Sequence, residues 1–419
     1  MGARRMGAWR PGRQASVHER ASRQVVALFS GGGTGGHLYP ALALAQALVE
    51  LRPDVRPFFV GAERGIEARV LPERGIEHVL LPVRGFARGP AALLSNWRVV
   101  PALVRSVVQV SGIFRRLRPS VAVLTGGYAS GPSGLVAVLA RVPLVMQEQN
   151  SVPGVTTRLL AWRARQIHLA FPEAAVRLPI QVRGRVQASG NPIQPPSAIG
   201  RSEARTAFGL GGDGMVVLIV GGSQGSAALN AAVLEAVRRV ARGEARLPPG
   251  LQLLWSTGTA RVARMRAALA ELGAPAWVHA TDYIHDMPRA LAAADLAVSR
   301  SGAMATSEFL AWGLPAVLVP LPTAAANHQE HNALALAAAG AALHLPEREL
   351  TAERLWSTIE GLAVDPARLE ALRKAARERG RPESARRIAA ALVDLLPPGP
   401  QAKPGEASTG LAGGVGGFR

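Results

Sequence analysis

Apolar residues fall along the chain in two kinds of run, and the two kinds alternate. Short, almost uncharged runs at 24–29, 57–60, 78–82, 121–124 and 143–147 read as strands buried on both faces, because polar residues do not alternate within them. Between them lie stretches with helical spacing. The first covers 38–51, where Pro40 falls in the opening turn and removes a donor that would have no partner there. The pattern then restarts: 215–220 reads as an apolar strand, runs into a glycine loop at 221–225 and is followed by a helix from Ser226. Further strands are expected at 251–255, 277–280, 296–298 and 316–319. Strand, helix, strand in repetition means parallel sheets covered on both faces. A stretch rich in Pro, Gly and Ser at 185–200 separates the halves. The fold class expected is α/β, two Rossmann-like domains with parallel sheets facing one another across a cleft. Their boundaries are placed at 24–188 and 201–396, joined by a linker at 189–200, with a basic leader at 1–23 and a Pro/Gly-rich tail at 397–419 expected to be disordered.

Composition narrows this picture. Of 419 residues 48% are hydrophobic but only 5% aromatic, so the cores must be built mainly from Ala, Val and Leu. Cysteine is absent, which excludes disulfides, a thiolate nucleophile and Cys-ligated metals. The net charge of +19 calls for an anionic partner, and charge alone does not choose among nucleic acid, a nucleotide-type substrate and an acidic membrane. The segment 1–23 has no apolar centre and does not read as a secretory signal. Residues 121–140 carry no charge, yet their Gly, Pro and Ser content fits two buried elements around a loop rather than a span. From Arg84 to Arg118 there are seven Arg and no acidic residue, interleaved with Phe86, Leu93, Leu94, Trp97, Val100 and Leu103. That is the composition of a surface resting on anionic lipid; the plainer alternative is a solvated basic face.

The chemistry concentrates at 299–333. Small residues at Ser301, Gly302 and Ala303 leave backbone N–H groups bare at the start of a helix expected over 305–312, where unpaired donors and the helix dipole favour a phosphate. Glu308 in that helix can accept two hydrogen bonds from a ribose diol, with Gln329 and Asn332 facing it from the next loop. The set reads as a nucleotide-sugar site; the bland alternative is a capped helix with a solvated Glu. The first glycine loop, GGGTGGH at 31–37, offers a competing reading: Gly31, Gly33 and Gly36 fit the dinucleotide fingerprint, with Glu63 near the end of the second strand. At the helix start the dipole disfavours imidazolium, so a neutral His37 can act as a base or donate to a phosphate, or it merely lines the turn. The loops at 126–132 and 147–154 also follow strands, which brings Glu148 and Asn150 toward the same mouth; packing by Tyr128 and helix capping by Asn150 are the structural alternatives. No Asp-x-Asp occurs, and His328 and His331 lack a third ligand at matching spacing, so no metal site is expected.

Seven segments carry a resemblance: GGGTGGHLYPALALA (31–45), GIEARVLPERGI (65–76), GGYASGP (126–132), EQN (148–150), GNP (190–192), GGSQGS (221–226) and RSGAMATSEFLAWGLPAVLVPLP (300–322). In this order, over about 25–396, they resemble the MurG family of peptidoglycan glycosyltransferases. The resemblance implies the GT-B architecture, with the last helices packed back on the N-terminal domain. It implies inverting transfer of GlcNAc from UDP-GlcNAc to the MurNAc 4-hydroxyl of undecaprenyl-pyrophosphoryl-MurNAc-pentapeptide (lipid I), without cofactor or nucleic acid, at the cytoplasmic face of the membrane. It places Thr34, Gly35 and Gly36 near the donor and His37 near the reaction centre or the acceptor diphosphate. Asn150 falls on the GlcNAc, Ser223 on the diphosphate and Ile284 against uracil. Ala303, Met304, Ala305, Thr306, Ser307 and Glu308 form the nucleotide-binding helix start, with Glu308 on the ribose and Gln329 on the GlcNAc hydroxyls. His37 is the first candidate for the base and Glu148 the second. The chain departs from the family pattern in having Gln147 for His, Thr157 for Asn and, at another donor-binding position, Gln194 for Arg. The rival readings are another glycolipid acceptor, a UDP-GlcNAc epimerase and an NAD(P)-dependent oxidoreductase.

Overall fold

The computed structural model describes residues 24–83, 99–222 and 224–399. The basic leader, most of the tail, Ser223, and Arg84, Phe86, Arg88, Leu93, Leu94, Trp97 and Arg98 lie outside the described residues. One parallel sheet of seven strands contains β1 (Val25–Gly31), β2 (Val55–Ala62), β3 (His78–Leu81), β4 (Val121–Gly126), β5 (Leu144–Glu148), β6 (Gln166–Leu169) and β7 (Val186–Gln187), in the order β3-β2-β1-β4-β5-β6-β7. A second parallel sheet contains β8 (Val216–Val220), β9 (Gln252–Ser256), β10 (Val278–Thr281), β11 (Leu296–Ser299), β12 (Ala316–Leu318) and β13 (Leu343–His344), in the order β10-β9-β8-β11-β12-β13. Each order reverses at the first strand of its sheet. A crevice therefore opens between β1 and β4 in one domain and between β8 and β11 in the other, where doubly wound sheets bind ligands.

The continuous apolar runs have the origin their pattern implies. Val26 and Leu28 face the helix Val99–Leu117, meeting Val110, Ile113 and Phe114, while Ala27 and Phe29 face the helix Gly35–Leu51, meeting Leu44 and Leu48. β2 is longer than the expected 57–60, although Pro57 lies inside it. Pairing with β3 begins only at Phe59, whose N–H donates to Glu77 O, so the donor missing at Pro57 would have found no partner on that side. β6, β7 and β13 were not expected. They are short and carry polar residues, among them the buried His168, hydrogen-bonded to Ser189 Oγ at 2.8 Å.

After the irregular stretch 188–200 the chain enters the second domain, and near its end it returns. Ile388, Ala389 and Leu392 of the helix Ser384–Val393 are fully buried in the same core as Leu44 and Leu48 of the first domain. Gln166 Nε2 donates to Ala391 O at 2.8 Å and ties that helix to β6.

Candidate active site

In the second domain the crevice is a cavity of about 600 Å³. Its floor is the carboxyl ends of β8 and β11. Its walls are the glycine loop with Gly221, Gly222, Gly225 and Ser226, the segment Tyr283, Ile284 and Met287, and the helix Ala303–Trp312. Gly302 caps that helix in an extended conformation and no side chain caps its N–H groups, which leaves them to the cavity. Glu308 projects into the cavity from the second turn. It has no cation or hydrogen-bond donor among the described residues, and burial pushes its carboxyl up to about 7. An unpaired carboxyl in an apolar cleft is a mark of a functional group rather than of a brace. Gln329 also lines the cavity, its Oε1 accepting from Leu321 N–H at 3.0 Å. Arg300 is held at the rim by Ser226 Oγ, by the carbonyls of Val319 and Pro320 and by an ion pair with Glu347.

Within the run 303–308 only Ala305 and Glu308 line the cavity. Met304 does not. The others have internal partners: Thr306 Oγ1 donates to Gly302 O, and Ser307 Oγ donates to Ala303 O and accepts from Asn191 Nδ2 at 2.9 Å. Asn191 also donates to Ala303 O at 3.1 Å and accepts from Gln147 Nε2 at 2.9 Å, so the departure at Gln147 belongs to a bridge between the domains. Gln194, close by in sequence, is exposed and does not line the cavity.

The first domain brings three loops to the facing rim. Thr34, Gly35 and Gly36 begin the helix Gly35–Leu51, and Thr34 Oγ1 lies 3.1 Å from His37 Nδ1. The imidazole lies over Gly126, whose φ of +94° and missing side chain are both needed, since a Cβ there would sit 2.8 Å from Nε2. His37 keeps some exposed surface, but burial of its ring, and then the charge of His328, lowers its pKa to about 4. Burial is therefore the main cause that keeps it neutral. The influence of His328 also shows that His37 faces the other domain. Asn150 Oδ1 accepts from Asn332 Nδ2 at 3.2 Å, and Asn332 Oδ1 accepts from the N–H and hydroxyl of Ser151 at 2.9 Å each. Asn332 lies one helical turn beyond Gln329, so Asn150 stands beside the cavity mouth.

Glu148 is placed differently from the expectation of a base. It is buried, and its carboxyl accepts from Asn150 N–H at 3.2 Å, Gly154 N–H at 2.9 Å and Thr157 Oγ1 at 2.7 Å. Burial raises its pKa, while these hydrogen bonds, the one from Thr157 first, oppose the rise. It braces the loop that presents Asn150, and Thr157 is part of that brace. The dinucleotide reading of the first loop fails on geometry: Glu63 is exposed, and the Gly33 N–H donates at 2.7 Å to the buried carboxyl of Glu67.

Residues 27–169 match the glycosyltransferase family 28 N-terminal domain and residues 216–388 the family 28 C-terminal domain. A protein of Moorella thermoacetica named UDP-N-acetylglucosamine–N-acetylmuramyl-(pentapeptide) pyrophosphoryl-undecaprenol N-acetylglucosamine transferase is 40% identical over 363 residues, covering 85% of this chain and 95% of its own. One of the same name from Chlorobium luteolum is 42% identical over 370 residues, covering 88% and 98%. The chain belongs to the MurG group of glycosyltransferase family 28. The crystal structure of MurG from Acinetobacter baumannii superposes with a TM-score of 0.71 at 26% identity, covering 89% of this chain and all of that one. Membership fixes the GT-B architecture of the two sheets. Sequence reasoning gave no role to Tyr283, Met287 or Glu347 of the cavity wall, nor to Glu67. Arg300 carried a visible signal, since it directly follows a strand at its carboxyl end.

Proposed function

We propose that the protein transfers GlcNAc from UDP-GlcNAc to the MurNAc 4-hydroxyl of undecaprenyl-pyrophosphoryl-MurNAc-pentapeptide, with inversion at the anomeric carbon. The observation that carries this reading is the unpaired Glu308 carboxyl in a cavity whose wall is an uncapped helix start. Uracil lies against Ile284, the ribose diol donates to Glu308, and the diphosphate takes the N–H groups of the helix start and of the loop that includes Ser223. The sugar then reaches the mouth between Gln329 and Asn150, below the loop carrying Thr34, Gly35 and Gly36. His37 is the base: with Nδ1–H donating to Thr34 Oγ1, Nε2 takes the proton of the 4-hydroxyl as its oxygen bonds to the anomeric carbon. The bond from that carbon to the diphosphate oxygen breaks, and the charge gathering on UDP is met by donors that are already oriented. The test is incubation with UDP-GlcNAc and a soluble lipid I analogue. A β-linked disaccharide product and equimolar UDP are expected; epimerised donor without transfer, or reduction of NAD, would sink the reading.

The same reading puts the first domain on the cytoplasmic face of an anionic membrane. Val100, Val104 and Val108 form one exposed stripe of the helix Val99–Leu117, continued by Leu135 and Leu139 and by Leu159 and Trp162. Arg105, Arg141, Arg158 and Arg163 are exposed among them, the last with its guanidinium 4.0 Å from the Trp162 ring centre. No helix among the described residues is long and apolar enough to cross a membrane. This face supports peripheral attachment, with apolar groups entering the interface and cations meeting headgroups.

A further inference from the structure

The carboxyl of Glu67 belongs neither to the donor cavity nor to the proton transfer. It opens the short helix Glu67–Glu73 just beyond β2 and has no exposed surface. Oε1 accepts from Gly33 N–H at 2.7 Å and from Ala62 N–H at 2.8 Å, while Oε2 has no partner among the described residues. Three glycines make its room. A Cβ at Gly32 would lie 1.9 Å from Oε1, one at Gly61 2.5 Å from Cγ, and one at Gly65 2.2 Å from both carboxyl oxygens. A buried carboxyl with an unused oxygen is destabilising in itself, so a socket formed around one points to a task in positioning.

We propose that Glu67 is the positioning residue of the first glycine loop, setting the path of residues 32–36 and through it the orientation of the His37 imidazole. The Gly33 N–H is drawn inward, and with its φ of +95° the chain turns so that Thr34 begins the helix at once. Thr34 O accepts from His37 N–H at 3.1 Å, and Thr34 Oγ1 meets the ring at the same distance, so a shift of Gly33 reaches the imidazole through one intervening residue. With the Gly33 donor engaged, the N–H groups left for an anion are those of Thr34 to Gly36.

The inference rests on the role given to His37, and the test separates the two. Glu67→Ala, Glu67→Gln and Gly65→Ala are compared for kcat, for KM of both substrates and for the titration of His37 by NMR of labelled histidine, assigned with His37→Ala. Glu67→Ala and Gly65→Ala should lower kcat about tenfold or more while UDP-GlcNAc KM stays within about twofold. Both should raise the His37 pKa from about 4 as the ring loosens toward solvent. Glu67→Gln keeps an Oε1 acceptor and should stay within about threefold of wild type. In the Glu67→Ala background Gly65→Ala should add nothing, because the methyl then meets no carboxyl. Normal kcat in Glu67→Ala, an unmoved His37 titration in both variants, or donor KM rising with the loss of kcat would overturn the proposal. The titration needs no turnover, so it stands even if the wild-type protein transfers no sugar, a result that would count against the transferase reading alone.

Discussion

A carboxyl that burial has raised to about 7 is half-ionised at neutral pH, and this makes Glu308 a sensitive reporter of donor binding. Two ribose hydroxyls donate best to the ionised form, so binding should lower its pKa again and release a proton. Below pH 7 the affinity for UDP should therefore fall, by about tenfold per unit, until the pKa of the complex is reached. Calorimetry in buffers of different ionisation enthalpy should register proton release near pH 6.5; proton uptake would exclude the assignment. Glu308→Gln should raise donor KM about ten- to a hundredfold and narrow the preference over 2′-deoxy-UDP-GlcNAc, with acceptor KM unchanged. His37→Ala should cost about a hundredfold in turnover and leave UDP affinity near normal, whereas near-normal turnover would remove His37 as the base. The places of Glu308 and Gln329 on the cavity wall were legible in the run 299–333, whereas Ile284 was reached only through the family resemblance. Glu67 was not, because what identifies it is a set of partners from Gly32, Gly33, Gly61 and Gly65 that meet only in the fold. Glu148 was misread for the same reason: its acceptors are engaged by Asn150, Gly154 and Thr157.

Among elements, the decisive ones are the two glycine loops and the helix starts beside them, all at the two switch points. Their positions were readable because a buried parallel strand leaves an unmistakable apolar run and the loop begins where the run stops. β6, β7 and β13 lie away from the sheet centres, carry polar side chains and left no such run. The contact between domains was equally hidden. Asn191 reaches from the connecting stretch to Ala303 O and Ser307 Oγ, and Gln147 holds it from the first sheet. Asn191→Ala leaves buried partners unpaired and should destabilise the protein by about 1 to 3 kcal/mol in denaturant unfolding. It should also raise donor KM, because the helix carrying Glu308 loses its tie to the opposite domain. Unchanged stability with normal donor KM would show that the bridge carries no strain between the domains.

Over the whole molecule the surplus of positive charge and the exposed apolar stripe of the first domain act together. The protein should sediment with anionic vesicles, less so as salt rises, and Arg105, Arg141 and Arg158 changed together to Glu should abolish it, each Arg being worth about 1 kcal/mol near such a surface. Equal binding to neutral vesicles at high salt would leave only the apolar contribution. A different consequence follows from the return of the helix Ser384–Val393 to the first domain. The ribosome makes Leu44 and Leu48 early, but Ile388 and Leu392, which cover them, come much later in the chain. At about 5 to 20 residues per second, the intervening stretch takes roughly 20 to 70 s to synthesise. During that interval the nascent first domain displays an unfinished apolar face, and no complete pair of domains exists to enclose a substrate. The enzyme is thus assembled only once residues 384–393 have emerged, and a chain cut short before residue 384 would leave that face permanently bare.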